Sequence, residues 1–375
     1  MPGFEIIDNK EKKAVNKLFN ESSILMAHGF ENIRKNFHVR LFEKNFSKKI
    51  KSKYALAVSS GTAAIKIALK AINIKPGDEV ITQSFNFIAT VEAIIDIGAI
   101  PIVINIDKSL NMDPNLIEDA ITKKTKAILP VHMLGYSCQM DKILNIAKKY
   151  NLFVIEDNCE ALGGKYKKKL LGNLGDIGTY SLDFGKIITT GEGGLITTNK
   201  KKFDKHCREY HDHGHENNPN FPRGRDTKTK PGFNYRMTEI QGTIGNIQLK
   251  KLSFIINENK KRFQAYDKNL SKKFVRRYLV KNSEPSYDCH IIFIKDEVIR
   301  NEIISIYKKN GFGIKNLPDA IEWHCSFYWD HIFSKNNLKK FIFTNNLLKT
   351  AVALPISLKI SPSKYIKLAK ILNKI

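Results

Sequence analysis

From Tyr54 onward, short apolar runs rich in β-branched residues alternate with longer segments whose apolar positions return every three or four residues. That alternation predicts βαβ units and a mainly parallel sheet with helices on its faces. Residues 54–58 (YALAV) read as the first strand. Gly61 breaks it, Thr62 can cap, and Ala64, Ile67, Ala68 and Ala71 recur at helical spacing. Pro76-Gly77-Asp78 marks a turn into a second strand at 79–82. The pattern then predicts a helix within 87–98, a strand at 100–105, a capped helix opening at Asp113-Pro114, a strand at 126–131, a helix at 141–150, and a strand at 152–157 that ends in Glu156-Asp157. In a doubly wound sheet of this kind the ligand sits at the carboxyl ends of the strands.

Between residues 201 and 231 the periodicity fades into a polar stretch rich in Asn, Pro, Gly and His, expected to be a long loop or arm. A helical pattern returns over 237–254, after which short strands and helices with more aromatic residues follow. The chain is therefore expected to form a large domain over 1–250, N-terminal segment included, and a smaller C-terminal domain over 251–375. It carries no internal repeat and no low-complexity tract.

Composition narrows the class. No apolar run reaches the roughly 18–20 residues that span a bilayer, and the N-terminal MPGFEIIDNKEKK lacks a signal-peptide core, so a cytoplasmic protein with no membrane partner is expected. The five cysteines are scattered and never spaced C-x-x-C, which suggests neither a disulfide framework nor a zinc site. Lys plus Arg minus Asp plus Glu gives 62 − 37 = +25. The lysines are spread in short clusters along the whole chain with no basic arm or nucleic-acid-binding signature, so solvated surface charge is expected and a nucleic-acid partner is not.

Four features fall where the pattern places strand ends: Gly61-Thr62-Ala63, Glu156-Asp157, Ser181 and Lys186. A phosphate wants exposed N–H groups at a helix N-terminus beside a hydroxyl, and residues 60–63 supply this after the first strand. The same residues are also ordinary strand-to-helix punctuation. Asp157 at the rim of the sheet would either cap the next helix or face a ligand. Lys186 lies among Leu182, Phe184, Ile187 and Ile188, a less polar setting than most lysines here have, and Gly191, Gly193 and Gly194 permit a tight turn behind it.

Taken in order, SSGTAA (59–64), GDEVIT (77–82), VIEDNCEALGG (154–164), GDIGTYSLDFGKIITTGEGG (175–194) and GFNYRMTEIQ (232–241) resemble the pyridoxal-phosphate-dependent sugar aminotransferases of the DegT/DnrJ/EryC1/StrS family. The resemblance covers essentially the whole chain. It implies the α/β architecture of a fold-type I aminotransferase, with a mainly parallel central sheet, flanking helices and a smaller C-terminal α+β domain. It further implies pyridoxal 5′-phosphate as cofactor, with pyridoxamine 5′-phosphate as the form that carries the amine. Lys186 matches the lysine that bonds to the cofactor and later moves the proton, and Asp157 the carboxylate that pairs with the pyridinium nitrogen. Thr62, Ala63 and Ser181 match phosphate-binding positions, and Phe87 the ring that stacks on the cofactor, although an ordinary core Phe is an equal reading of the residue itself. Asn234 matches a residue that reaches the neighbouring subunit's phosphate, which implies a homodimer with active sites at the subunit interface. Glu160 departs from the family pattern of Gln or His, near the cofactor's 3-oxygen; a carboxylate there either repels a phenolate or turns outward. Related 3-dehydratases carry histidine in place of the lysine, so Lys186 argues for transamination.

MPGFE at the N-terminus, residues 211–216 and residues 317–331 look like the branch of that family that aminates an eight-carbon ulosonic acid for lipopolysaccharide, with L-glutamate as the expected donor. A nucleotide-linked 4-keto-6-deoxy sugar is the alternative acceptor, and a non-catalytic regulator the alternative from another class. These three segments are expected to lie peripheral to the cofactor. His211, His213 and His215 alternate, so on an extended segment they would share a face; substrate contact or solvation is expected rather than a metal. His324 and His331, with Trp323 and Trp329, could line a sugar pocket or pack the small domain. Arg34, Arg40, Arg223, Arg225 and Arg236 are the candidate partners for an anionic sugar.

Overall fold

A strand buried on both faces is largely apolar on both faces, and the central sheet is built mostly of such strands, with the edge strand at 100–104 only partly buried. The computed structural model describes residues 2–218 and 220–375. In chain order the strands are β1 (Tyr54–Val58), β2 (Glu79–Gln83), β3 (Ile100–Ile104), β4 (Thr125–Ile128), β5 (Phe153–Asp157), β6 (Ile177–Ser181) and β7 (Gly194–Thr198). They lie side by side as β1-β7-β6-β5-β4-β2-β3. Every neighbouring pair is parallel except those of β7, which runs antiparallel to both β1 and β6. Helices cover the sheet, as parallel strands require. They include α1 (Asn9–Glu21), α2 (His38–Ile50), α3 (Gly61–Ala71), α4 (Ala89–Asp96), α5 (Met140–Lys149), α6 (Lys201–His211) and α7 (Glu239–Asp267). In α3 the positions spaced for burial, Ala64, Ile67, Ala68 and Ala71, are all buried. Among the described residues no helix is long and apolar enough to cross a membrane.

Three sequence expectations change. Asp113 does cap, its Oδ1 accepting the Asn115 N–H at 3.0 Å, but it opens two 3-10 turns, Pro114–Leu116 and Glu118–Ala120, rather than an α-helix. Only Pro114 and Ile117 are buried along that run, too little apolar surface to hold a longer helix. The polar stretch from 201 begins with α6, whose Phe203, Cys207 and His211 fall four residues apart on one buried stripe. Residue 250 lies inside α7. That helix starts at a capping box, Thr238 with Gln241, and runs for 29 residues. Its Leu249, Leu252 and Ile255 pack in the core with Phe42 and Leu195, whereas Tyr266 packs in the small domain's core, so a single helix serves both.

The small domain is built on β8 (Val275–Arg276), β9 (Cys289–Phe293) and β10 (Ala351–Pro355), an antiparallel sheet in the order β8-β9-β10, covered by α8 (Glu297–Lys309) and α9 (Pro362–Leu372). Just after β8, the buried Arg277 reaches into loops of the large domain. Its guanidinium donates to the Ser109 carbonyl, to the Met133 carbonyl at 3.0 Å and to Asn111 Oδ1 at 3.2 Å, and it lies 4.2 Å from the Tyr136 ring centre. All its acceptors are neutral, and burial pushes its pKa below the usual arginine value. Arg277→Met keeps most of the volume but strands those acceptors. It is expected to cost about 3 kcal/mol or more of stability, read as a shift in the urea midpoint; a midpoint within error of the unaltered protein would show that the contact does not hold the domains.

Candidate active site

The carboxyl ends of β1, β5 and β6, the turn after β2 and the loop before β7 meet at a cavity of about 460 Å³. Its first wall is the start of α3. A Cβ added to Gly61 would lie 2.8 Å from Ser181 Cβ, and one on Gly194 would lie 2.2 Å from the Ser60 carbonyl oxygen, so the helix terminus presses directly on β6 and β7. Ser60 caps the helix: its Oγ accepts the Ala63 N–H at 3.1 Å and its carbonyl the Ala64 N–H at 3.0 Å. Gly61 and Thr62 precede these bonds and line the cavity with Ser181. Two backbone donors at the positive end of a helix, with a hydroxyl beside them, make a cradle for a phosphate. Ala63 is not part of that wall; its N–H is spent on the cap and its side chain lies in the core.

On the cavity floor stands Asp157, buried at the end of β5. Each carboxylate oxygen has one donor: the Thr90 hydroxyl at 2.9 Å on Oδ2 and the Cys159 N–H at 3.1 Å on Oδ1. Thr90 itself is buried in the first turn of α4. The carboxylate is thus fixed in orientation and still borders the cavity.

Lys186 lies on the turn between β6 and β7, its Nζ 3.7 Å from Glu160 Oε1. Glu160 does not turn outward. Its Oε2 accepts the Leu134 N–H at 3.0 Å, and although burial alone would raise its pKa, the Lys186 and Lys315 ammonium groups with that backbone bond bring it down to about 2. The turn is braced by the N-terminal segment. The Gly3 N–H donates to the Lys186 carbonyl at 3.1 Å, where a Cβ on Gly3 would come within 2.6 Å of that oxygen, and Phe4 packs on Phe184 with ring centres 6.1 Å apart. Residues 2–5, expected to be peripheral, thus buttress the lysine; Met1 lies outside the described residues.

The opposite wall mixes both domains. Phe87 is 46 % exposed and borders the cavity, so it is not a core residue; its ring centre lies 5.4 Å from that of His324. Residues 323–326 strap onto the Phe87 turn: Asn86 and Ile88 donate to the carbonyls of His324 and Trp323, and Ser326 donates to that of Ser84. His324 Nδ1 faces the Ala320 carbonyl at 2.8 Å and its Nε2 faces Asn316 Nδ2 at 3.1 Å, an arrangement that suits a neutral ring, in keeping with the burial that lowers its pKa. Of its neighbours, Trp323 is exposed, Trp329 is buried in a small cluster with Ile88 and Val91, and His331 lies exposed beside Asp330. Lys315, Asn316 and Asp288 also line the cavity. The sequence marks none of these three, nor Thr90, since a lysine among 62 basic residues carries no signal of its burial.

The remaining candidates lie elsewhere. Asn234 is exposed and pairs through its backbone with Asp212, away from this chain's cavity. None of the five candidate arginines lines it. Arg223 grips Asp212 with two bonds of 2.7 Å and Arg236 adds a third. Arg40 pairs with Glu31, and Arg34 is buried 3.7 Å from Glu239. The three histidines do not share an extended face: His211 ends α6, His213 has φ +52°, and His215 bonds Asp226 at 3.0 Å. Among the described residues no group of three or more His, Cys, Asp or Glu is placed to hold a metal ion.

The chain is similar to known proteins along nearly its whole length. The family model of the DegT/DnrJ/EryC1/StrS aminotransferases matches residues 7–373. GDP-perosamine synthase of Escherichia coli O157:H7 is 38 % identical over 266 residues, 71 % of this chain and 70 % of that protein. The X-ray structure of an aminotransferase from Psychrobacter cryohalolentis superposes with a TM-score of 0.85 at 28 % identity, covering 98 % of this chain and 96 % of that one. A GDP-4-keto-6-deoxymannose-3-dehydratase with bound GDP-perosamine superposes with a TM-score of 0.80 at 26 % identity, covering 98 % of both chains.

One histidine pair lies buried outside the cavity. His211 Nδ1 bonds the Arg208 carbonyl and its Nε2 faces His28 Nε2 at 3.1 Å, which leaves room for one shared proton. Burial lowers the pKa of His28 to about 2 and that of His211 to about 4. Below pH about 6.5 the unfolded chain binds these protons and the folded chain does not. Stability is therefore expected to fall as pH drops from about 6.5 toward 4, by up to about 2.7 kcal/mol per unit. His28→Asn with His211→Asn should flatten this limb in urea titrations at pH 7, 6 and 5; an unchanged slope would count against the pair.

Proposed function

The chain belongs to the DegT/DnrJ/EryC1/StrS aminotransferase family, and we propose that it moves an amino group from L-glutamate to a carbonyl sugar through Lys186, with active sites shared by two copies of the chain. It is a sugar aminotransferase whose cofactor is pyridoxal 5′-phosphate. The observation that carries the residue assignment is the convergence of Lys186, Asp157 and the Ser181 side of the α3 terminus on one cavity.

The residues suit that group. Gly61 and Thr62 offer N–H donors and Ser181 a hydroxyl to its phosphate, Asp157 a fixed carboxylate to a protonated ring nitrogen, and Phe87 an aromatic face. When bound, pyridoxal phosphate supplies the electron sink that makes loss of a proton from the substrate carbon feasible. The chain's own part is to hold the ring, exclude water and carry the proton on Lys186 Nζ. Glu160, ionised 3.7 Å away, supports the positive charge of that ammonium when the proton is on it.

For the acceptor, the first reading is 3,8-dideoxy-8-oxo-manno-octulosonate, giving 8-amino-3,8-dideoxy-manno-octulosonate for lipopolysaccharide. Its support is that residues 317–331, read in the sequence as resembling that branch, put His324 on the cavity wall beside Asn316. The second reading, a GDP-linked 4-keto-6-deoxy sugar, is favoured by the likeness to GDP-perosamine synthase. Assay of both carbonyl sugars with glutamate decides: turnover of the GDP sugar alone would remove the first reading.

Lys186→Ala is expected to lose transamination by roughly 10³-fold or more, and borohydride should fix the cofactor to the unaltered peptide containing Lys186. Retained activity would overturn the assignment. Exposed Phe30, Ile33, Phe184, Phe221 and Phe233 leave apolar surface for a second copy of the chain to cover. If Asn234 serves the partner's site, Asn234→Ala and Lys186→Ala chains, each impaired alone, should recover about a quarter of the activity when mixed. No recovery would mean that each chain uses its own Asn234.

A further inference from the structure

Among the described residues the cavity holds an ion pair that no step above uses. Lys315 and Asp288, both from the small domain, have side chains only 8 % and 5 % exposed, bond each other, and line the cavity. Their backbones are locked to β10: the Lys315 N–H donates to the Ala353 carbonyl at 2.9 Å, and the Asp288 carbonyl accepts the Ile356 N–H at 2.8 Å. On the large-domain side Gly135, with φ +84°, closes over them so tightly that a Cβ there would lie 2.9 Å from Asp288 Oδ1 and 2.1 Å from Ser286 Oγ.

The hydrogen-bond count is incomplete. An ammonium has three N–H donors, and Asp288 Oδ2 is the one side-chain acceptor for Lys315 among the described residues. A carboxylate has about four acceptor sites, and among the described residues only the Ser286 hydroxyl, at a long 3.4 Å, reaches Asp288 besides Lys315. A buried pair kept for packing alone would have these groups satisfied or would be replaced by apolar residues at no loss. Here the spare donors and acceptors belong to residues on the wall of an open cavity, at fixed positions, adjacent in space to one another.

Resting on the sugar-aminotransferase reading above, we propose that the Lys315–Asp288 pair is the sugar subsite: it binds two adjacent hydroxyl groups of the acceptor, one accepting from Lys315 and the other donating to Asp288. Adjacent hydroxyls supply the acceptor and the donor that the pair lacks, with no new charge. A carboxylate in the same place would gain Lys315 but lie against Asp288, with Glu160 also nearby. The pair thereby sets the acceptor's orientation, while the Lys186 end of the cavity serves both donor and acceptor. Lys315 and Asp288 are specificity residues for the sugar and not for the amino donor.

The test separates the two half-reactions of the holoenzyme. Turnover of 3,8-dideoxy-8-oxo-manno-octulosonate or GDP-4-keto-6-deoxymannose by the unaltered enzyme checks the underlying reading; the change on substitution checks the inference. Lys315→Met with Asp288→Asn removes both charges together, leaving neither unpaired. It should raise KM for the sugar roughly ten- to hundredfold, while the single-turnover rate with glutamate, followed by cofactor absorbance, falls by a clearly smaller factor, because Glu160 keeps Lys186 as its partner. As a second measurement on the unaltered enzyme, an acceptor lacking one hydroxyl of the pair should lose the same factor. Equal loss in both half-reactions, loss confined to glutamate, or full activity toward the deoxy acceptor would each overturn the proposal.

Discussion

Two adjacent carboxylates end one buried strand, and the site is organised around satisfying both. Along β5, Glu156 and Asp157 point to opposite faces. Glu156 is wholly buried and takes N–H bonds from Gly172, Leu174 and Gly175 at 2.6–2.9 Å and a bond from His132 Nε2 at 3.0 Å. His132 Nδ1 accepts the Cys138 N–H, so Nε2 carries the hydrogen. This network ties the loop that feeds β6 to the end of β5 and thereby sets where Ser181 emerges. Asp157, facing the other way, is left with two weaker holds and an open side on the cavity. An unpaired buried charge costs several kcal/mol, so a carboxylate with one open side is suited to a cationic ligand group.

Close approach is the second constraint. The phosphate cradle exists because α3 begins against β6 and β7 with no room for a side chain at Gly61 or Gly194. Glycine at these positions lowers helix or strand propensity but allows backbone donors and the Ser181 hydroxyl to share one small space. The lysine turn depends on a similar contact at Gly3, from a segment more than 180 residues away in sequence.

The small domain completes the site rather than sitting beside it. Arg277 locks it to the 109–133 loops, residues 323–326 strap the Phe87 turn, and Lys315 and Asp288 close the wall. The cavity is electrostatically mixed even though the chain carries +25 overall. Lys186 and Lys315 each face a carboxylate within the site, so the excess positive charge belongs to the outer surface and to solubility, not to the chemistry.

The periodicity of the chain determined the alternating α/β architecture, the position of β5 and its terminal carboxylates, and the glycine-bounded turn that carries Lys186, because each is a local pattern of period 2 or 3.6 or a local break in one. It did not reveal α6, whose stripe is made of Phe, Cys and His among charges, or that the helix legible over 237–254 runs on to Asp267 and serves two cores. Nor did it single out Lys315. That lysine looks like the other basic residues until the fold buries it, and four of the five arginines that looked suited to an anionic sugar are spent on Asp212, Glu31 and the buried Glu239. Which cation faces the cavity follows from contacts between residues well apart in the sequence, such as Gly3 with Lys186 and Gly135 beside Asp288. Burial and pairing at that range are properties of the packed chain, and only the tertiary structure decided them.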